Sequence, residues 1–292
     1  MPSSPTIAGP DPDTRVPSFR LPPGACDAHC HVFGPADRYP YATDRSYTPP
    51  DAPLEMFVAL QATLGIDRAV LVNASCHGTD NRPVTDAIAQ SGGRYRGVAT
   101  VAPDITDREL QALHEGGIDG CRFTFLKRLG RTMDLSSFHA IVARVAPLGW
   151  HVDLYLEPDS VADFAPMLTG LPLPYVIDHM GTAIAAKGVD QSGFTALLDL
   201  LRADEKCWVK VTGLERSSAT GAPFDDAVKL AAKLVQTAPD RVLWGTDWPH
   251  PNLTRMPNDA DLVDVIPRYA PDPALRAKLL VDNPSRLFRF EL

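Results

Sequence analysis

The chain has 292 residues, of which 45% are hydrophobic and 22% are charged, the balance of a soluble globular protein with a large core. Its formal net charge of −8 excludes a general affinity for nucleic acid or for anionic membrane surfaces. The sequence contains no run of about 18 consecutive apolar residues and no apolar secretory segment. We therefore expect a cytoplasmic protein without a membrane span.

The cysteine spacing predicts the redox state of the thiols, and the N-terminal composition predicts where the folded domain begins. The five cysteines are irregularly spaced and form no C-x-x-C pair, which favours buried, reduced thiols over a disulfide framework. Residues 1–22 are rich in Pro, Ser, Asp and Thr and predict an arm that is either disordered or held on the surface. Residues 23–292 are predicted to form one domain.

Eight short apolar runs follow one another along the chain, each bounded by loop residues. Most are continuous rather than alternating, which is typical of parallel strands buried on both faces. They predict strands over residues 25–33, 69–73, 97–101, 120–125, 151–155, 175–178, 208–212 and 241–244.

Helical patterns follow these strands over residues 53–64, 82–90, 136–146, 160–168, 192–202, 225–236 and 273–281. A further helix begins at the capping box formed by Thr106 and Glu109. Eight strand–helix units predict an α/β fold, a single-domain (β/α)8 barrel of the TIM type. The alternative, an open doubly wound sheet, would carry a Gly-rich phosphate loop after the first strand, where this chain has His29-Cys30-His31.

Chemically versatile residues lie where the predicted strands end, which is where the active sites of such barrels are found. Asp247 follows the eighth strand between two tryptophans and suits general-base work or metal ligation, although it could simply cap a turn. His29 and His31 are two residues apart on a strand, so both rings point to one face. His179 follows the sixth strand.

Arginines and further polar side chains are predicted at the same end of the barrel. Arg122, Arg128 and Arg216 are candidates for binding substrate carboxylates, although each could instead form a structural ion pair or a solvated charge. The other candidate pocket residues at strand ends are Ser75, His77 and Tyr155.

Two more residues are weighed and given structural roles. Lys210 lies between Val209 and Val211, and this pattern favours a core position over a catalytic or carbamylated lysine. His250, three residues after Asp247, is expected to pack the loop.

The residues His29-x-His31, His179 and the segment 245–250 resemble the amidohydrolase superfamily. Longer segments, among them 27–35 (DAHCHVFGP), 74–81 (ASCHGTDN) and 176–181 (VIDHMG), resemble its 2-pyrone-4,6-dicarboxylate lactonases, and the similarity covers roughly residues 22–288. The resemblance implies hydrolysis of a small anionic lactone to an open-chain acid, in the bacterial protocatechuate 4,5-cleavage route for lignin-derived aromatics.

The resemblance also implies residue roles. Asp247 would activate water as a general base, and His29, His31 and His179 would polarise the lactone carbonyl. Arg122, Arg128 and Arg216 would hold carboxylates. The pocket would be lined by Tyr47, Ser75, His77 and Tyr155.

A metal is the main open question. Many superfamily members bind divalent ions through a Lys or Glu on the fourth strand and a His on the fifth, but here Arg122 and Tyr155 occupy those strand ends. The resemblance predicts no metal and no other cofactor. The alternative is a mononuclear zinc site on His29, His31, His179 and Asp247.

Other functions are weighed as well. The segment 211–218 differs from the lactonases, so a related lactone such as sulfomuconolactone, hydrolysed with zinc, is an alternative. A zinc-dependent non-oxidative decarboxylase would need an acidic ligand before His29, and a non-catalytic barrel would have lost Asp247. No oligomeric state is predicted.

Overall fold

The computed structural model describes residues 4–126 and 134–290. Eight parallel strands pair in chain order, which confirms the predicted (β/α)8 barrel. The strands are β1 (Cys26–Cys30), β2 (Arg68–Val72), β3 (Tyr95–Ala99), β4 (Ile118–Thr124), β5 (His151–Tyr155), β6 (Tyr175–Ile177), β7 (Cys207–Val211) and β8 (Val242–Trp244).

Helices connect the strands and cover the outside of the barrel. The connecting helices are α1 (Leu54–Leu64), α2 (Arg82–Gln90), α3 (Asp107–Glu115), α4 (Leu135–Val145), α5 (Val161–Thr169) and α6 (Ser192–Ala203). After β7 come α7 (Leu214–Ser217) and α8 (Asp225–Thr237), and after β8 come α9 (Asp259–Asp264), α10 (Ile266–Tyr269), α11 (Pro273–Ala277) and α12 (Asn283–Phe288). The capping box of Thr106 and Glu109 forms as predicted.

Several bounds differ from the sequence prediction. Strand β1 ends at Cys30 rather than at residue 33. Strand β3 begins two residues before its predicted start, because Tyr95 already pairs with Ala69. The predicted loop after β7 contains α7. The last predicted helix ends at Ala277 and continues as a π-helical segment, Lys278–Asp282, into α12. Pro284 lacks an amide hydrogen for the regular α-helical ladder at this junction.

The barrel closes between β8 and β1 through the residues that carry the chemistry. Asp247 N donates to His29 O at 2.8 Å, and His31 N donates to Trp248 O at 2.7 Å. Gly245 permits this approach, because a Cβ there would lie 2.6 Å from the backbone nitrogen of His29. Closure therefore fixes β1 and the end of β8 against each other.

A second, smaller apolar cluster lies at the other end of the barrel. Strand residues such as Val70, Val98 and Leu243 form one cluster with Phe288 and Phe290 from the end of the chain. Phe290 also lies against Arg68, the first residue of β2. Apolar side chains thus close the barrel at the amino ends of the strands, and the polar site lies at the carboxyl ends.

The described part of the N-terminal arm lies on the barrel surface. Ile7 N donates to Thr48 O at 3.1 Å, and Arg15 forms ion pairs with Asp261 and Asp264 at 2.5 and 2.6 Å. All five cysteines are buried and free. None of the helices in the described ranges combines the length and apolarity needed to cross a lipid bilayer.

Candidate active site

Four of the predicted residues meet at the carboxyl ends of β1, β6 and β8. Asp247 Oδ1 lies 3.3 Å from His31 Nε2 and 3.7 Å from His29 Nε2. The His29 ring is 5.1 Å from the His31 ring and 4.7 Å from the His179 ring, measured between centroids. All four side chains are almost completely buried.

The backbone is strained where two of these residues are presented. His179 and Asp247 have φ angles of 50° and 63°, in the left-handed region that residues other than glycine rarely adopt. Such conformations cost on the order of 1–3 kcal/mol each and persist only when the surroundings hold them. For Asp247 the restraints include the bond from its own N–H to His29 O and acceptance from His250 N at 2.7 Å.

A narrow pocket opens above Asp247. Its lining residues are His31, Tyr47, Ser75, Arg122, Thr124, Tyr155, His179, Arg216, Asp247, Pro251 and Asn252. Five of the predicted substrate-binding residues, namely Tyr47, Ser75, Arg122, Tyr155 and Arg216, therefore lie on the pocket wall.

Two predicted substrate-binding residues are not among these lining residues. His77 lies behind the wall, where its Nε2 accepts a hydrogen bond from Gly34 N at 3.2 Å and burial lowers its pKa to about 4. Arg128 lies outside the described residues. Sequence reasoning missed Thr124 and Asn252. Thr124 stands two residues after Arg122 on β4, so strand alternation could have identified it, whereas nothing in the sequence singled out Asn252.

Both described arginines of the pocket are bound to carboxylates. Arg122 Nε donates to Asp178 Oδ2 at 2.8 Å, and its guanidinium carbon lies 4.7 Å from the centre of the Tyr155 ring. Arg216 Nε donates to Asp247 Oδ2 at 2.5 Å, and its Nη1 donates to Pro251 O at 2.8 Å. The two arginines thus place two positive charges in the pocket wall, and their hydrogen bonds hold the guanidinium groups in position.

These charges determine the protonation of the centre. Burial alone would raise the pKa of the Asp247 carboxyl, but Arg216 and the neighbouring histidines hold it well below its usual value. Burial lowers the pKa of His179 to about 3, and burial with the nearby Lys210 charge lowers the pKa of His29 well below its usual value. At neutral pH the site therefore holds a carboxylate beside two neutral imidazoles.

A buried lysine lies directly beneath the histidines. Lys210 Nζ donates to Asp153 Oδ2 at 2.5 Å and to His29 Nδ1 at 3.0 Å, and it is 3.3 Å from Asp178 Oδ1. Its side chain is fully buried. Lys210 is a core residue, as its apolar neighbours indicated, but its amine contacts the site.

His250 is buried in the loop after β8, as expected, and is not among the residues that line the pocket. Its Nε2 lies 2.9 Å from Asp259 Oδ1, and its Nδ1 lies 3.9 Å from Glu215 Oε1. Burial alone would lower the pKa of His250, but these carboxylates raise it to about 10. The imidazolium therefore balances two buried carboxylates next to Arg216.

Some of these residues could hold a metal ion. One nitrogen each of His29 and His179 and one oxygen of Asp247 lie within 4.8 Å of one another. His31 Nε2 also faces Asp247 Oδ1. A second set of His29, Asp153 and Asp178 meets the same criterion, but Lys210 already bonds to two of its members.

Comparisons with known proteins agree with this geometry. The family model described as amidohydrolase matches residues 26–290. A 2-pyrone-4,6-dicarboxylate hydrolase from Comamonas testosteroni is 48% identical over 281 residues, covering 93% of this chain and 92% of that protein. A 4-sulfomuconolactone hydrolase from Hydrogenophaga intermedia is 43% identical, covering 98% of this chain and 95% of that protein. A solved structure from Acinetobacter baumannii, assigned to 2-pyrone-4,6-dicarboxylic acid hydrolysis and holding citric acid, has a TM-score of 0.81 at 27% identity and covers 91% of this chain and 100% of its own.

Proposed function

We propose that this chain, which belongs to the amidohydrolase family, hydrolyses the carboxylated lactone 2-pyrone-4,6-dicarboxylate to the open-chain tricarboxylic acid. The observation that carries the proposal is the Asp247 carboxylate, held ionised beneath a pocket whose wall contains two arginines. A general base next to cations that can bind carboxylates suits a lactone with two carboxylates, such as the one named for the Comamonas testosteroni relative.

Asp247 supplies the general base. It accepts a proton from water, the resulting hydroxide attacks the lactone carbonyl carbon, and the ring C–O bond then breaks. The proton held by Asp247 passes to the departing ring oxygen, so that one water is consumed and the carboxylate is regenerated. In the reverse ring closure Asp247 acts as the acid.

The residues around Asp247 stabilise the negative charge that develops on the carbonyl oxygen. His29, His31 and His179 surround the base. N–H groups of His29 and His31 that point to the lactone carbonyl would act as preorganised donors, which contribute several kcal/mol to catalysis, whereas His179 Nε2 lies 3.4 Å from Arg122 Nη2, which donates toward it. His31 Nδ1 bonds to Val72 O at 2.7 Å, which fixes its ring so that Nε2 faces Asp247.

Arg122 and Arg216 bind the substrate carboxylates. Guanidinium groups stay charged and bind carboxylates through paired hydrogen bonds, as a planar dianion requires in a chain of net charge −8. Tyr47, Ser75 and Tyr155 line the same pocket. The Acinetobacter baumannii structure holds citric acid, a molecule that also carries several carboxylates.

Hydrolysis is proposed to proceed without a metal. Amidohydrolases often use metals, and this chain has residues able to ligate one, but the donor set fits a divalent ion poorly. Arg122 Nη2 lies 3.4 Å from His179 Nε2, and Arg216 occupies one oxygen of Asp247. The first contact brings a cation to a ligand atom that a metal would need, and the second places a guanidinium on the carboxylate that would bind the metal.

A second candidate substrate is 4-sulfomuconolactone, which the Hydrogenophaga intermedia relative hydrolyses. A sulfonate and a carboxylate carry the same charges into the pocket. The loop with Glu215 and Arg216, which contacts Asp247, would then set the preference between the two lactones.

The test is a rate comparison. Purified enzyme is treated with a chelator, its metal content is measured, and turnover is followed by loss of lactone ultraviolet absorbance for both substrates. We expect kcat/KM to be higher for 2-pyrone-4,6-dicarboxylate and unchanged by chelation. Absence of turnover of this pyrone would refute the proposed substrate, and inactivation by chelation with recovery on zinc addition would refute the metal-free reaction.

A further inference from the structure

Lys210 is a buried cation to which the proposed mechanism assigns no role. It projects from β7 toward the middle of β5, where it bonds to Asp153, and toward the end of β6, where it lies beside Asp178. Burial alone would raise the pKa of both carboxyls, but Lys210 lowers both, and Arg122 adds to the effect at Asp178. The lysine thus balances a buried anionic pair.

The same amine determines which nitrogen of His29 carries a proton. An ammonium group can only donate hydrogen bonds, so the 3.0 Å contact from Lys210 Nζ requires a lone pair on His29 Nδ1. In a neutral imidazole the proton then lies on Nε2. That atom has no hydrogen-bond partner among the described residues and lies 3.7 Å from Asp247 Oδ1.

The arrangement is the reverse of the one that metal sites use. A ligating histidine normally donates its second N–H to a carboxylate, which leaves the other nitrogen free to bind the metal. Asp178 Oδ1 lies 3.3 Å from His29 Nδ1 and could play that part, but Lys210 Nζ lies closer to that nitrogen, at 3.0 Å. Lys210 donates to Nδ1 instead.

We propose that Lys210 is a positioning residue that selects the Nε2–H tautomer of His29, which directs the N–H of this histidine into the site beside Asp247 and removes it as a metal ligand. The effect on turnover rests on the proposed function. The tautomer and the metal preference do not.

The other two histidines provide an internal contrast. His31 Nδ1 donates to the carbonyl of Val72, which can only accept. His179 Nδ1 contacts Thr212 Oγ1 at 2.7 Å, while Arg122 donates toward its Nε2. His31 therefore carries hydrogen on Nδ1, and the proton of neutral His179 also lies on Nδ1, whereas that of His29 lies on Nε2.

Nitrogen NMR of the wild-type protein tests the tautomer directly. With ¹⁵N-labelled histidine, and with His29→Gln to assign the signals, His29 should give a protonated Nε2 and an unprotonated Nδ1. The signals of His179 should show the opposite pattern. Protonation of His29 at Nδ1 would overturn the proposal, whatever the substrate proves to be.

Zinc binding to Lys210→Met tests the metal preference. Once the amine is removed, Asp178 can accept from Nδ1, and the zinc affinity should rise about 10- to 100-fold, the usual effect of a histidine's carboxylate partner. Competition with a chromophoric chelator measures the affinity, and Lys233→Met, on the exposed side of α8, is the control. Unchanged zinc affinity in a folded Lys210→Met would overturn the proposal.

Two further measurements guard against a trivial outcome. If Lys210→Met does not fold, because Asp153 and Asp178 lose their counter-ion, the double variant with Asp153→Asn replaces it in the same assay. In the folded variant kcat for the pyrone should fall about 10- to 100-fold with little change in KM. Lys210→Met could instead lower only the yield of folded protein, with the His29 nitrogen signals and the kcat per folded chain as in the wild type. That result would contradict the proposal.

Discussion

Replacement of Asp247 by asparagine is the most direct test of the base. The amide preserves the shape and the contact with His31, but it cannot accept a proton from water. General-base catalysis contributes typically 10²- to 10⁴-fold, so kcat should fall by that factor, equivalent to about 3–5 kcal/mol of activation free energy.

The same substitution should strengthen ligand binding. In the wild-type protein Arg216 Nε donates to Asp247 Oδ2 at 2.5 Å, and that charged hydrogen bond competes with any substrate carboxylate for the guanidinium. Hydrogen bonds to charged groups contribute about 1.5–3 kcal/mol. If the substitution makes half of this free energy available for binding the ligand, the Kd of the pyrone dicarboxylate should fall about threefold to tenfold.

Two assays distinguish these effects. Loss of pyrone absorbance gives kcat, and titration calorimetry gives the Kd for the intact lactone. Asp199→Asn, which removes a surface ion pair with Arg202 within α6, is the matched control and should leave both quantities unchanged. Turnover within a few-fold of wild type in Asp247→Asn would refute the general-base role, and weaker binding would refute the competition for Arg216.

Three further predictions concern binding, pH and stability. Arg122→Lys should raise KM for the pyrone about ten- to hundredfold, because an ammonium cannot reproduce the paired hydrogen bonds of a guanidinium; initial rates measure this. The pKa of His250, raised to about 10 by its carboxylate neighbours despite burial, lies above its unfolded value of about 6.5. Its contribution to stability is therefore present below pH 6.5 and lost toward pH 10, so urea unfolding should show a falling free energy of unfolding that His250→Gln removes. Gly245→Ala should lower that free energy by about 1–3 kcal/mol, because its Cβ would lie 2.6 Å from His29 N, whereas Gly170→Ala, with its nearest neighbour at 3.4 Å, should change it little.

The positions of the four central residues could be predicted because they depend on topology alone. In a parallel barrel every strand ends at the same rim, so His179 and Asp247 had to approach the first strand once eight strands were recognised. The two-residue spacing of His29 and His31 then predicted a shared face. None of this required knowledge of side-chain packing.

The surroundings of these residues could not be predicted in the same way. Whether Arg216 contacts Asp247 or solvent depends on the course of the loop that contains α7, which the sequence pattern did not predict. Lys210 lies between two valines and looks like any core position, and its partners Asp153 and Asp178 come from two other strands. Such contacts depend on strand register and rotamers, which carry no local sequence signal.

The ion pairs around the site suggest how substrate charge is coupled to catalysis. Three buried carboxylates each contact a cation of the chain, in the pairs Lys210–Asp153, Arg122–Asp178 and Arg216–Asp247, at 2.5, 2.8 and 2.5 Å. A cation bound this closely weakens a carboxylate as a base, because it stabilises the ionised form. A lactone that carries a carboxylate can draw Arg216 away from Asp247 and so increase the basicity of that residue when water must be activated. A neutral lactone has no such group, and we infer that the site discriminates against it in kcat as well as in KM.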